Sequence, residues 1–500
     1  MTTHLVTRPL PGVAMDGLEV PLVTGGTAPY RHLDHAASAP GLVAVEHALA
    51  RCYPLITAIH RGPGYPSAEC TRLYEETRGI VARFVGAPDD CCVILTSGTT
   101  AGLNILAQSL VGRRVVGFAL EHHANMLPWQ DRCDYTMLPV PGSEEELFGR
   151  LDAQLRHHPG GFVTVTGASN VTGERPTLDY LTDLVRSHGA ELIVDAAQLA
   201  PHHRIDMRRD GIAALVLSGH KLGATSAGLG ALIAPRSWLV GRAPLIRGGG
   251  AVDYVHADGV RWSPDPTVRH EAGSANVPGA IALGVACRTL MGTGMTRISG
   301  VEGVLLDVAY QGLRRVPGLT IHQLWPGHAS VPVITFTLGG MPYGLLAAVL
   351  SAEYGIGVRS GCFCAHQLVA HLLGIDPKHA RSLYTDAQSG RAPLPGAVRV
   401  SLGHGTTTDT LTVLFDALNR ITEHGPKADY QCTTDRSHWW PVPDPRPPLV
   451  TYGELGEVRE YPAADRSDHI TDQVGGISPF VDPSGFEAAP ACLTGFTGTS

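Results

Sequence analysis

The chain has 500 residues, 44% of them hydrophobic and 17% charged, with a net charge of -8. That length accommodates two or three domains with a large core, and the composition suits a compact α/β protein better than a disordered chain. No basic stripe invites nucleic acid, and no uncharged apolar segment reaches membrane-spanning length.

The first twenty residues carry Pro9, Pro11, Asp16 and Glu19 and lack the apolar stretch of a signal peptide, so a cytoplasmic protein is expected. Ten scattered cysteines read as thiols, not as a disulfide framework.

In chain order, residues 1–30 read as an irregular arm rich in Pro and Gly. From 31 to 300, apolar runs alternate with helical patterns. Cys92 to Thr96, Arg114 to Ala119, Phe162 to Thr166, Leu192 to Asp195 and Ala214 to Leu217 are expected strands, and Leu178 to His188 an expected helix. Such alternation predicts a mostly parallel sheet covered on both faces, with its ligand at the carboxyl ends of the strands. Residues 301–424 form a second, smaller unit, with strands over Val331 to Leu338 and Val398 to Leu402 and a loop from Ser389 to Gly396. Beyond Pro426 a tail, 425–500, is expected to be extended or partly disordered. Its run Pro441 to Pro448 cannot form a helix or a central strand.

Two strand ends carry the chemistry. The run Glu191-Leu192-Ile193-Val194 ends at Asp195, and Leu215-Val216-Leu217-Ser218-Gly219-His220 delivers Lys221. A lysine and an acid so placed suit pyridoxal 5'-phosphate (PLP). The amine forms a Schiff base with the aldehyde, and the carboxylate keeps the pyridine nitrogen protonated. Asp195 alone would read equally as a strand-end cap; its pairing with Lys221 is the stronger signal.

The turn Thr96-Ser97-Gly98-Thr99-Thr100-Ala101-Gly102 follows a strand and opens a helix. It offers N–H groups and hydroxyls to a phosphate, unless it is an ordinary cap. Ser218 and His220 could reach the same phosphate. His122, in Glu121-His122-His123-Ala124-Asn125, could stack on a pyridine ring or belong to a surface His pair. Asn170 could hydrogen-bond cofactor or substrate, or simply hold a turn. Gln198 could reach the ring hydroxyl.

With Leu33-Asp34-His35-Ala36-Ala37-Ser38, Gly98-Thr99-Thr100, Ser169-Asn170-Val171, Asp195-Ala196-Ala197-Gln198 and Ser218-Gly219-His220-Lys221, the chain resembles the class V aminotransferase family of fold-type I PLP enzymes. Within it, the resemblance is closest to group II cysteine desulfurases and selenocysteine lyases. It implies a large α/β domain with a mostly parallel seven-stranded sheet and a smaller α+β domain. It also implies that His122 stacks on the ring, Thr100 binds phosphate, Asp195 pairs with the pyridine nitrogen, Gln198 meets the ring hydroxyl and Lys221 holds the cofactor. Ser274, in Glu271-Ala272-Gly273-Ser274, matches a segment that reaches the neighbouring subunit's phosphate, which implies a homodimer.

The segment Val358-Arg359-Ser360-Gly361-Cys362-Phe363-Cys364-Ala365-His366 bears on specificity. Arg359 offers a fork for an amino acid carboxylate. Cys364 could present a thiolate to the substrate sulfur. Cys362 and Cys364 could instead form half a metal site, but no second Cys or His pair at ligand spacing accompanies them, and no metal is expected. A buried structural role suits Cys362 better than Cys364.

By resemblance to the family's Arg-Thr/Ser-Gly-x-x-Cys-Ala segment, Cys364 is the catalytic cysteine. The Arg-Ser-Gly-Cys-Phe-Cys run is also similar to the desulfurase-like domain of molybdenum cofactor sulfurases, from which Ala365-His366-Gln367-Leu368 departs. Residues 372–397 are longer than the family stretch, and His404-Gly405-Thr406-Thr407 replaces its Tyr-Asn-Thr.

The expected activity is an L-cysteine desulfurase that releases alanine and passes the sulfur to an acceptor protein or thiol. The alternatives are a selenocysteine lyase, another PLP-dependent C–S lyase or epimerase, and a non-catalytic sulfur-transfer scaffold.

Overall fold

The computed structural model describes residues 10–225 and 228–451. Its centre is a seven-stranded sheet in the spatial order Cys91–Thr96, Gly230–Pro235, Ala214–Ser218, Glu191–Asp195, Phe162–Thr166, Arg114–Phe118, Asp134–Leu138. All neighbours pair in parallel except Gly230–Pro235, which runs antiparallel to both of its partners.

Period-two alternation sends side chains to two buried layers. Leu95, Phe118, Val163, Val165, Leu192, Val194, Leu215 and Leu217 pack into one core, beneath Tyr65–Val85 and Val277–Thr293. Ile94, Val115, Ile193, Val216 and Leu232 pack into the other, with Leu103, Leu106 and Trp129. The edge strand Asp134–Leu138 is only half-buried, and its polar Asp-Tyr-Thr start explains why no apolar run announced it.

A second sheet, antiparallel, has the order Leu319–His322, Val333–Leu338, Ala397–Ser401, Arg359–Gly361. Its core joins Phe336, Val398 and Val400 to Leu305 and Leu313, to Leu346 and Leu350, and to Leu414, Leu418 and Ile421. These come from the helices Met295–Leu313, Tyr343–Tyr354 and Thr408–His424.

The N-terminal arm is more regular than expected. Within the N-terminal arm, Glu19–Pro21 pairs with Thr27–Pro29. After Pro426 the chain is extended, and Tyr430–Cys432 pairs with Trp439–Pro441. A buried carboxylate holds this start in place, with Glu353 Oε1 accepting hydrogen bonds from Lys427 N, Ala428 N and Tyr430 Oη. The rest of the expected tail, from 452, lies outside the described residues. Among the described residues, no helix is long and apolar enough to cross a membrane.

Candidate active site

The carboxyl ends of the parallel strands open into a cavity of about 290 Å³. Asp195 and Ser218 reach it as the last residues of their strands. Lys221 follows Ser218 in the single turn Gly219–Lys221, which turns its side chain over the strand ends. Both ionisable groups shift toward neutrality. Burial lowers the Lys221 amine to about 8, although Asp195 opposes that shift. Burial also raises the Asp195 carboxyl, although Lys221 and a hydrogen bond from Ala197 N to Oδ1 oppose it. Desolvation therefore outweighs the attraction of the pair.

At the helix Thr99–Ser109, the Thr99 N–H donates to Ser218 Oγ at 2.9 Å and the two hydroxyls meet at 2.8 Å. Gly98 lets the chain turn there at φ 147°, in the region open to glycine. Gly98 has no side chain to cap the helix, so apart from that of Thr99 its first N–H groups are left for an anion. Thr100 and His220 line the same cavity.

His122 Nδ1 accepts the Ala124 N–H at 3.0 Å, which assigns the ring proton to Nε2. Burial and the nearby Lys221 lower this imidazole to about 4, so it is neutral at physiological pH. Gln198 donates from Nε2 to Ala36 O at 2.6 Å. Its buried Oε1 has no partner.

That orphaned acceptor tests the fit of PLP: a ring hydroxyl would supply the missing donor. The neutral imidazole, the hydroxyl-lined helix end, the desolvated amine and the buried carboxyl match the cofactor's other functional groups. The residues present fit it.

The cysteine loop forms the opposite wall. Asn170 Nδ2 donates to Phe363 O at 2.7 Å, and His123 N donates to Cys364 O at 2.8 Å. Cys364 is exposed and lines the cavity.

Ser274 is apart from this assembly. It lines a different cavity, with Tyr74, Arg78 and Glu271. Every other residue expected from the sequence to act in the site lines the first cavity.

The structure adds Arg399, which sequence reasoning passed over. Its side chain is 3% exposed, against 51% for Arg359. Arg399 Nη1 donates to Asn170 O at 2.8 Å and Nη2 to Asp34 Oδ1 at 3.2 Å. Its guanidinium lies 4.9 Å from the Phe363 ring centroid, and its buried Nε has no partner. Arg359 pairs with the other oxygen of Asp34 at 2.9 Å. The available signal was a lone arginine inside the apolar run Val398-Arg399-Val400. Outside the cavity lining, buried Glu121 accepts from Asn125 Nδ2 at 2.6 Å and from Thr166 N at 3.1 Å, and burial raises it to about 8. Among the described residues, no group of His, Cys, Asp and Glu could hold a metal ion.

A seven-stranded sheet with a lysine and an acid at adjacent strand ends is the frame of a fold-type I enzyme. The chain belongs to the aminotransferase class-V family, whose model matches residues 31–414. It is 33% identical over 411 residues to a cysteine desulfurase of Klebsiella pneumoniae (strain 342), covering 79% of this chain and 93% of that protein. A cysteine desulfurase of Salmonella agona (strain SL483) is 32% identical over 360 residues, covering 68% and 86%.

Solved structures are similar as well. The cysteine desulfurase CsdA from Escherichia coli has a TM-score of 0.66 at 27% identity, over 79% of this chain and 95% of that one. The cysteine desulfurase from Thermococcus onnurineus NA1 has 0.68 at 26%, over 83% and 100%.

Proposed function

We propose that this chain is a PLP-dependent L-cysteine desulfurase, which converts L-cysteine to L-alanine and retains the sulfur as a persulfide on Cys364. The observation that carries the reading is a single cavity lined by the Lys221 amine, the buried Arg399 guanidinium and the Cys364 thiol. The relatives named cysteine desulfurase support it.

Lys221 would hold the cofactor's aldehyde carbon, Asp195 its pyridine nitrogen, Gln198 its ring hydroxyl and His122 its ring face. Thr99, Thr100, Ser218 and His220 would hold its phosphate, and Ser274 that of a second subunit in a homodimer. When bound, PLP supplies a sink for the electrons left as the substrate's α-proton departs.

The remaining work belongs to the chain's own groups. Arg399 binds the substrate carboxylate through its unpartnered Nε, and half-exposed Arg359 assists at the mouth. Asn170 holds the cysteine loop against the cavity while its carbonyl orients Arg399. Lys221, with its amine near 8, accepts the α-proton and returns a proton to product carbon. Cys364 attacks the substrate sulfur. The new S–S bond forms as the carbon–sulfur bond breaks, leaving alanine and a persulfide for an acceptor protein or small thiol. A reducing, cytoplasmic setting suits this chemistry, and the nine cysteines among the described residues are all unpaired.

The test is alanine and sulfide formation from L-cysteine with a thiol reductant, comparing wild type with Cys364→Ala. Equal yields of the two products, lost in the variant while it still binds PLP, are expected. Undiminished sulfide from the variant would remove Cys364 from the chemistry. Turnover of L-selenocysteine alone would favour a selenocysteine lyase.

A further inference from the structure

We propose that Cys362 is a resolving thiol for the Cys364 persulfide. It would release the sulfur as hydrosulfide and leave a Cys362–Cys364 disulfide. The inference rests on the desulfurase reading and adds to it an exit for the sulfur that needs no acceptor at the moment of release.

The geometry comes from the turn. Phe363 and Cys364 both have positive φ, 54° and 55°, and Ala365 N donates to Cys362 O at 2.9 Å. Two left-handed residues inside an i to i+3 hydrogen bond make a type I′ turn. Two Cα steps folded back in this way bring the Cα atoms of Cys362 and Cys364 to about 5.5 Å. A disulfide accepts Cα separations of about 4.4–6.8 Å.

Neither central residue is glycine, so the conformation carries a backbone cost that the surroundings must offset. The offset is visible on both sides, in the Asn170 bond to Phe363 O and the His123 bond to Cys364 O. Arg399 packs on the Phe363 ring as well. The two cysteines are therefore held together by the same contacts that place Cys364 in the cavity.

They also differ in environment. Cys364 is exposed, whereas Cys362 is half-buried and packs against the main apolar core. Burial raises the Cys362 thiol. It thus rests protonated, which leaves a persulfide time to meet an acceptor before resolution.

The step balances. The Cys362 thiolate attacks Sγ of Cys364, and the Cys362–Cys364 bond forms as the bond from Cys364 Sγ to the outer sulfur breaks. The outer sulfur leaves with the electron pair and takes up the proton lost from Cys362, departing as hydrosulfide. Cys362 is oxidised and the outer sulfur reduced. A small thiol or a dithiol protein must then reduce the disulfide before the next turnover.

The experiment uses the PLP-loaded full chain, reduced beforehand and kept under argon, with one equivalent of L-cysteine and no added thiol. Products are quenched with an alkylating agent, and the peptide bearing both cysteines is weighed. Wild type should yield equal alanine and sulfide, and a peptide lighter by two hydrogens that resists alkylation. Cys362→Ser and Cys362→Ala should yield alanine without sulfide, and Cys364 should carry one extra, alkylated sulfur. A persulfide that persists in wild type, with alanine formed and no disulfide, would overturn the role of Cys362 alone. Sulfide release from both variants equal to wild type would do the same. Absence of alanine from wild type would overturn the desulfurase reading and this inference with it.

Discussion

The desolvated amine makes a prediction about stability before any chemistry. Lys221 titrates near 8 in the folded chain against an ordinary 10.5. A lysine lowered on folding binds fewer protons folded than unfolded between those values, so stability rises with pH across that window. The folded state carries the full cost below pH 8 and none above 10.5. The displacement corresponds to about 3 kcal/mol. Lys221→Met keeps most of the side-chain volume without the charge. Because Lys221 also favours the ionised form of Asp195, the net gain should be about 2–3 kcal/mol.

The assay is urea unfolding of cofactor-free protein, wild type against variant, at pH 7 and pH 10.5. Taking the difference between the two proteins cancels the other groups that titrate. At pH 7 the variant should unfold at higher urea with an unchanged slope, and the gap should close at pH 10.5. A variant no more stable than wild type at pH 7, or a gap indifferent to pH, would refute the reasoning. The burial that lowers the amine would then not be a cost to the fold.

Two further perturbations separate roles that look alike in sequence. Arg399→Lys keeps a charge but loses the fork, and KM for L-cysteine in the alanine assay should rise by about 10–100-fold. Arg359→Ala should raise it by less than about 10-fold, because that guanidinium is half in solvent; the reverse order would return the carboxylate to Arg359. Gly98→Ala forces a Cβ onto a φ of 147°, 3.4 Å from Ser218 Oγ. It should cost about 1–3 kcal/mol in unfolding free energy and weaken PLP binding in an absorbance titration. Unchanged affinity would mean that the turn does not hold the phosphate.

Much of this protein was legible from the chain alone, for a physical reason. Parallel strands covered on both faces must be apolar throughout, so Leu192 to Asp195 and Ala214 to Ser218 stand out, and the polar residues that end them line the cavity. Asp195, Lys221 and the Gly98-Thr99-Thr100 turn follow from that pattern.

Other features depend on partners far away in sequence. Arg399 is an ordinary mid-strand residue until Asp34 and the Asn170 carbonyl close around it. Only then is its fork buried, at 3% exposure, while Arg359 stays half in solvent. The strand Gly230–Pro235 enters antiparallel between two others, an order set by sheet pairing and not by composition. The C-x-C segment is compatible with a metal half-site, a buried thiol or a reactive pair. Its backbone is set by the fold, because the left-handed conformation at Phe363 and Cys364 is held there by Asn170 and His123, residues distant in sequence.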